Sequence, residues 1–325
     1  FEFNDLRIGA KVAYQNWDMK LEIGYTGNKA TIKDAFAKYT YKNHSIQVGQ
    51  FYEPFSLEMM CSTFDIRFNQ SPGAVLALTN GRRMGITYSY RNKRHYMSGG
   101  AFMDNEVNNL KKASHGYALD GRVVYRPVLD SKKLIHIGFA ANYRTPNESL
   151  NEEDKNIFIY KSPGVSTIDN RNIAMATIDH AAYQIKFGTE LLVYYHRFCL
   201  QSEYIRTHVE RDNAFKNYVA QGAYLQCSWL LSGETYLYDE SVACAGRPEG
   251  KSLEVCSRFN YLTLNDEDAA IWGGEQKDIS IGLNYYINKY IGIKLNYSYL
   301  MPGASIKEIS RKNFSVFQGR FQFIF

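Results

Sequence analysis

A chain of 325 residues with 45% hydrophobic side chains has more material than a single soluble core usually needs, yet no shift of composition divides it into domains. Its formal charge is only +5, spread along the whole length, which excludes the concentrated basic stripe of a nucleic-acid-binding protein. No run approaches the roughly 18 consecutive apolar residues of a membrane helix, so a helical span is excluded too.

Aromatic residues make up 15% of the chain, with 26 Tyr and 19 Phe, and Pro is scarce. That composition suits strands with one face in an apolar or interfacial medium. The mean hydropathy of -0.38 does not oppose this reading, because only alternate residues of such strands meet lipid. The chain opens on Phe1 without a basic-then-apolar leader, which is compatible with a removed signal peptide.

In chain order the dominant signal is period two, the strand period. Leu6, Ile8, Ala10, Val12 and Tyr14 form one face of the first segment, with Arg7, Gly9, Lys11 and Ala13 on the other. After a turn around Gln15 and Asn16, the run from Trp17 to Tyr25 alternates apolar residues with Asp18, Lys20, Glu22 and Gly24. The pattern returns through Tyr117–Tyr125, Ile135–Tyr143, Tyr183–Val193, Ile279–Ile287 and Ile291–Tyr297. The predicted strands are 4–14, 17–27, 31–41, 44–52, 81–91, 95–106, 115–127, 133–145, 156–163, 182–194, 196–209, 216–232, 251–264, 277–287, 290–301 and 313–325. These are sixteen strands; 156–163 is the weakest, with 168–181 as its substitute, and 14 or 18 are the alternative counts. Many segments reach the roughly 9–11 residues that a tilted strand needs to cross the hydrocarbon layer. Backbone polar groups at that depth must all be paired, so the expected fold is all-β: a closed antiparallel transmembrane β-barrel.

Short turns are expected near Gln15, Asn43, Asn92, Asp130, Tyr195 and Lys289, and long connections at 53–80, 107–114, 146–181, 233–250, 265–276 and 302–312. Alternation of short and long connections is the periplasmic and extracellular pattern, with 146–181 and 233–276 read as large extracellular loops. The segment 53–80 combines Pro54, Pro72 and Gly73 with a brief helical signal at 56–60, and reads as a loop folded inward. Aromatics at predicted strand ends, among them Tyr14, Trp17, Tyr39, Tyr41, Tyr88, Tyr90, Tyr194, Tyr195, Tyr285 and Tyr290, read as interfacial girdles. Ordinary packing of strand aromatics is the competing reading at any single position.

If the apolar parity faces lipid, the opposite parity turns Lys20, Lys38, Arg83, Arg91, Arg122, Arg126, Arg144, Lys186, Arg197, Lys294 and Arg320 inward, together with Arg7 and Lys11. The inward acids are Asp18, Glu22, Asp34, Asp120, Glu190 and Glu203, so the lumen is basic in balance and favours anions. Arg83, Arg91, Arg122 and Arg126 stand out, because a guanidinium grips an oxyanion through a planar fork. The plain alternative is a salt-bridged wall that selects nothing.

Five cysteines, Cys61, Cys199, Cys227, Cys244 and Cys256, exclude complete internal pairing and lack the spacing of a metal site; Cys244 and Cys256 could close one loop. The seven histidines are scattered, with no His-Glu-x-x-His or Gly-x-Ser-x-Gly segment, so neither catalysis, a cofactor nor a metal is expected.

The runs Lys33–Tyr39 (KDAFAKY) and Ile46–Glu58 (IQVGQFYEPFSLE) resemble the phosphate-selective porin O and P family of outer-membrane barrels. Phe187-Gly188 through Glu203-Tyr204, Ser228–Glu234, Leu283–Asn288 and the closing Arg320–Phe325 are similar too, so the likeness covers essentially the whole chain. The resemblance implies a single barrel domain over 1–325, a sixteen-stranded trimeric pore with 53–80 as constriction loop, and the bacterial outer membrane as location. It also implies lipid and lipopolysaccharide as surroundings, a homotrimer, and passive diffusion of small hydrophilic solutes leaning to anions such as phosphate. The family's phosphate-selective members carry an arginine ladder and a lysine cluster in the channel. Here Lys111-Lys112 and Lys132-Lys133 are only short pairs suited to solvated turns, a departure from the family's lysine cluster. An unselective or sugar porin, or a plugged barrel serving as an envelope scaffold, are the alternatives.

Overall fold

The computed structural model describes residues 6–26, 29–103, 116–146, 156–166, 171–212, 214–303 and 312–324. Its frame is one antiparallel sheet in which each strand pairs with the next along the chain, apart from two ribbons that leave it. The first eight strands are β1 (Leu6–Tyr14), β2 (Trp17–Thr26), β3 (Lys29–Tyr41), β4 (His44–Tyr52), β5 (Arg82–Arg91), β6 (His95–Met103), β7 (Tyr117–Leu129) and β8 (Lys133–Arg144). The strands β9 (Phe158–Ser162) and β10 (Ala174–Ile178) pair only with each other. The sheet resumes with β11 (Ala181–Tyr195), β12 (Phe198–Arg211) and β13 (Tyr218–Ser232). A second ribbon, β14 (Tyr236–Asp239) with β15 (Cys244–Pro248), precedes β16 (Ser252–Asp266), β17 (Ile271–Tyr286), β18 (Ile291–Pro302) and β19 (Phe314–Phe323).

The sheet therefore holds 15 strands among the described residues, not the sixteen expected. The segment 156–163 does become a strand, but as β9 in a ribbon with β10, which takes up the substitute segment 168–181 as well. Phe158, Tyr160 and Ser162 alternate as a sheet strand would, yet they bury that parity against the interior of the fold. Five residues are also too short to span a hydrocarbon layer. With 15 alternating strands, the two edges, β1 and β19, run in the same direction.

The two faces of the sheet have inverted chemistry. One face is bare and apolar, with Ile137, Phe139, Phe187, Leu225, Phe259, Ile281 and Leu283 all exposed. The other is polar and covered, with Asn142, Gln184, Gln201, Asn260, Ser280 and Asn284 each at or below 1% exposure. In water this arrangement would leave the hydrophobic effect unsatisfied; in a bilayer it is the expected one.

Connections sort by end. Turns at 15–16, 42–43, 92–94, 130–132, 196–197 and 287–290 share one end. The other end carries the 53–81, 145–180 and 212–217 connections. The expected long segment 107–114 and most of 302–312, with Lys111-Lys112, lie outside the described residues. Two expectations are corrected. Strands β16 and β17 extend until only 267–270 separates them, so 265–276 is a tight turn; Ala270 sits there at φ 54. The 233–250 connection joins β13 to β16 at the short-turn end, so it is not part of an extracellular loop with 251–276.

The 53–81 connection contains α1 (Leu57–Met60) and α2 (Gly73–Leu78) and lies on the polar face of distant strands. Its attachment reaches from β4 to Lys294 on β18, whose ammonium donates to the carbonyls of Phe64 at 3.1 Å and of Ile66. Ten strand steps at about 4.8 Å would separate β4 and β18 by roughly 48 Å in a flat sheet. The twelve residue steps from Tyr52 to Phe64 could span about 40 Å at most, and here include a helical turn. The sheet is therefore strongly curled around its polar face. Gly222 of β13 lets α2 lie down on it, since a Cβ there would stand 2.7 Å from the Ala74 Cβ.

Candidate solute path along the polar face

The inward-folding segment is positioned through its own backbone. Ser56 caps α1 by accepting from the Met59 N–H at 3.3 Å, and the Glu203 carboxylate accepts the N–H groups of Leu57 and Glu58 at 3.0 and 2.8 Å. Asn260 accepts from the Ala74 N–H at 3.0 Å at the start of α2, and Asn296 from the Asn69 N–H at 2.7 Å. Arg258 donates to the Gln70 carbonyl and Asn284 to the Arg67 carbonyl, both at 2.8 Å. Arg67 itself pairs with Glu254 at 2.9 Å. Polar side chains of the sheet thus read loop backbone, which satisfies groups that burial would otherwise leave costly.

The β14–β15 ribbon enters from the opposite, short-turn end. Arg122 spans Glu190 at 2.9 Å and the Val242 and Ala243 carbonyls, both at 2.7 Å. Tyr238 meets His136 at 2.9 Å across the same Glu190. Arg247 pairs with Asp65 at 3.3 Å, so the ribbon touches the 53–81 segment. Cavities of about 480 and 510 Å³ flank the ribbon, the second bordered by Arg91, Asp239, Glu240 and Arg247.

The basic residues singled out by parity divide into two groups. Arg122, Arg126, Arg144, Lys186 and Lys294 are on the polar face but at most 2% exposed. Each holds an insertion or a turn: Arg126 donates to the Asn92 carbonyl at 2.5 Å, Arg144 pairs with Glu53, and Lys186 donates to Asn80 at 3.1 Å. Lys20, Lys38, Arg83, Arg91 and Arg320 are half-buried and border open space. Arg197 does neither: it is exposed in the 196–197 turn, where its carbonyl accepts from the Leu230 N–H at 2.9 Å.

The half-buried group concentrates on β2 to β5, where no insertion packs as deeply. Lys20 lies between Asp34 at 2.7 Å and Glu22 at 2.9 Å, and Asp34 also takes Arg82 at 2.5 Å. Arg7 pairs with Glu22 at 3.2 Å, and Lys11 with Asp18 at 3.7 Å. Lys38 and Arg91 have no acidic partner within 4.0 Å among the described residues. Both lie near the short-turn end, and Arg91, Asp239, Asp18 and Lys11 form the charged surroundings of Lys38.

Arg82 escaped the parity rule because it opens β5 on the parity of the exposed Ile86 and Tyr88, yet its guanidinium donates to Asp34 at 2.5 Å and to the Tyr52 hydroxyl at 2.8 Å. Arg258 was within reach of that rule, since Glu254, Cys256, Arg258 and Asn260 alternate on the polar face. Arg67 was not, because it stands in an aperiodic segment. In that segment burial pushes the carboxyls of Glu58 and Asp65 above the usual carboxylate range, against the pull of neighbouring arginines.

Comparison with known proteins bears on this frame. The family described as "Phosphate-selective porin O and P" matches residues 2–325. An uncharacterised protein of Caulobacter vibrioides is 25% identical over 310 residues, which cover 90% of this chain and 60% of that one. Porin O of Pseudomonas aeruginosa is 26% identical over 113 residues, 31% of this chain and 26% of that protein. The chain thus spans 60% and 26% of the length of these two curated relatives, less than two thirds of either. Among solved structures, the trimer form of OmpT from Vibrio cholerae aligns with TM-score 0.58 at 10% identity, covering 98% of this chain and 92% of that one. An anion-selective porin from Comamonas acidovorans aligns with TM-score 0.56 at 12% identity, covering 98% and 87%. At such identities these structures speak for the fold alone.

Proposed function

This chain belongs to the phosphate-selective porin O and P family of the outer membrane, and we propose that it passes small hydrophilic solutes, anions in preference, through a closed β-barrel. Porin family membership assigns it transport and not catalysis. Closure is supported by the curl of the sheet, by its inverted faces, and by the cost of leaving the β1 and β19 edges unpaired in lipid. Because both edges run the same way, an antiparallel ring needs one further strand opposed to both, which restores the even count of sixteen. The barrel forms a single domain over 1–325, narrowed by 53–80 as its constriction loop. Its bare apolar face meets outer-membrane lipid and lipopolysaccharide, and the working unit is a homotrimer.

The observation that carries the anion reading is the lane along β1 to β5. It holds Arg7, Lys11, Lys20, Lys38, Arg82 and Arg91 against Asp18, Glu22 and Asp34, with Lys38 and Arg91 free of acidic partners among the described residues. A narrow polar passage with surplus fixed positive charge concentrates anions and repels cations. Arg83 and Arg320 complete its lining. Arg122, Arg126, Arg144, Lys186 and Lys294 hold the insertions that shape it.

Phosphate titrated against a chloride current through single channels tests this reading. Phosphate is expected to reduce the chloride current, and the paired substitution Lys38→Ala and Arg91→Ala to relieve that effect. Equal currents in both proteins at every phosphate concentration would remove the lane from the account. A second reading, a plugged barrel acting as scaffold, is favoured by the β14–β15 ribbon, which fills the polar face beneath β7, β8 and β11. Failure of inserted protein to conduct would select it.

A further inference from the structure

None of the cysteines takes part in the proposed transport, yet two of them are brought together from opposite ends of the fold. Cys61 ends α1: its N–H donates to the Glu58 carbonyl and its thiol to the Leu57 carbonyl at 3.2 Å. Cys244 opens β15. Both are buried in one apolar cluster with Leu57, Tyr194, Leu230 and Tyr236, where α1 packs against β15. The juxtaposition does not depend on the cysteines themselves. Arg247–Asp65 at 3.3 Å and the Arg67 guanidinium, 4.8 Å from the centre of the Tyr236 ring, join the same two segments independently. The remaining cysteines are placed elsewhere. Cys199 and Cys256 face Arg67, and Cys227 is part-exposed on β13. The pairing of Cys244 with Cys256 that the sequence left open is not the contact formed here, where all five thiols are free.

We propose that Cys61 and Cys244 form a disulfide in the outer membrane, tying the loop that enters from one end to the ribbon that enters from the other. Outer-membrane chains pass through the oxidising periplasm, where such bonds form and persist. The two thiols lose two protons and two electrons as the Sγ–Sγ bond forms. The electrons reduce the disulfide of a periplasmic thiol oxidant to its dithiol, through a mixed disulfide with one of the two cysteines. The contact with Cys244 and burial both push the Cys61 thiol up, so the thiolate is scarce once the segments have docked. The exchange therefore accompanies docking, and the finished bond is shielded from reductants by the same burial.

The test is a peptide map of full-length protein extracted from outer membranes, alkylated under denaturing conditions and digested without reduction. The expected result is a linked peptide pair containing Cys61 and Cys244, two hydrogens lighter than the sum of its parts and lost on reduction. Cys199, Cys227 and Cys256 are expected alkylated. In C61S and, separately, C244S, the surviving partner is expected as a free alkylated thiol. Recovery of both cysteines alkylated in the wild-type map, or either of them joined to a different cysteine, overturns the proposal. Should either variant fail to assemble, the wild-type map alone decides.

Discussion

At the scale of single residues, the same side-chain type performs two tasks according to burial. Arg122 and Lys38 both stand on the polar face, but Arg122 is sealed between Glu190 and two ribbon carbonyls, whereas Lys38 borders open space. Removing one member of a buried pair strands the other, at a cost of about 3–5 kcal/mol. Arg122→Ala is therefore expected to loosen the β14–β15 ribbon and lower the unfolding temperature, whereas Lys38→Ala is expected to leave it nearly unchanged. Thermal unfolding of the detergent-solubilised protein, with limited proteolysis at 233–251, reads both effects. Glu58 supplies a pH dependence of known sign. Burial raises its carboxyl, Arg258, Gln201 and Arg67 oppose that, and its Oε1 finds no hydrogen-bond partner among the described residues. A carboxyl whose folded pKa lies above its unfolded one binds more protons when folded, so stability rises as pH falls from the folded value toward the unfolded value. Wild-type protein is expected to gain stability on mild acidification, and Glu58→Gln to lose that component. An identical pH profile in both proteins would show that Glu58 does not titrate in this way.

At the scale of elements, what could be read from sequence followed the reach of the interactions involved. Period-two patterns placed most strands of the sheet, and the turn signals at Gln15, Asn43, Asn92, Asp130, Tyr195 and Lys289 all fall where adjacent strands meet. These features are set by neighbours in sequence. The alternation of Phe158, Tyr160 and Ser162 is of the same kind, but it cannot tell a sheet strand from a ribbon folded onto the polar face. Likewise the length of 233–251 gave no sign of the end from which it enters, because that depends on counting every strand before it. The alternation of Arg122, Arg126, Arg144, Lys186 and Lys294 with exposed apolar residues was legible, and the 53–81 segment packs on the face they share. Which basic residues lie under insertions was not legible, since contacts such as Arg122 with Ala243 cross more than a hundred residues. Replacing 234–249 by a short turn is expected to uncover Arg122, His136 and Tyr194 and to raise single-channel conductance several-fold. Unchanged conductance would mean that the ribbon does not lie in the current path.

At the scale of the whole molecule, the proposed function draws together an apolar bare face, a polar covered face and a surplus of positive charge along β1 to β5 as a lipid-embedded sheet curled about an interior proposed to be aqueous and to favour anions. Each insertion packs on the polar face from a different end, and the strands that escape coverage are the ones whose charges stay half-exposed. Since the lane acts through fixed charge, its preference is expected to weaken as ionic strength rises and the screening length falls from about 10 Å at 0.1 M toward about 3 Å at 1 M. The most direct test of the central claim is the zero-current potential of single channels in a planar bilayer under a salt gradient. A stable open conductance with an anion-favouring potential is the predicted result. A cation-favouring potential, or no conductance from folded and inserted protein, would contradict it.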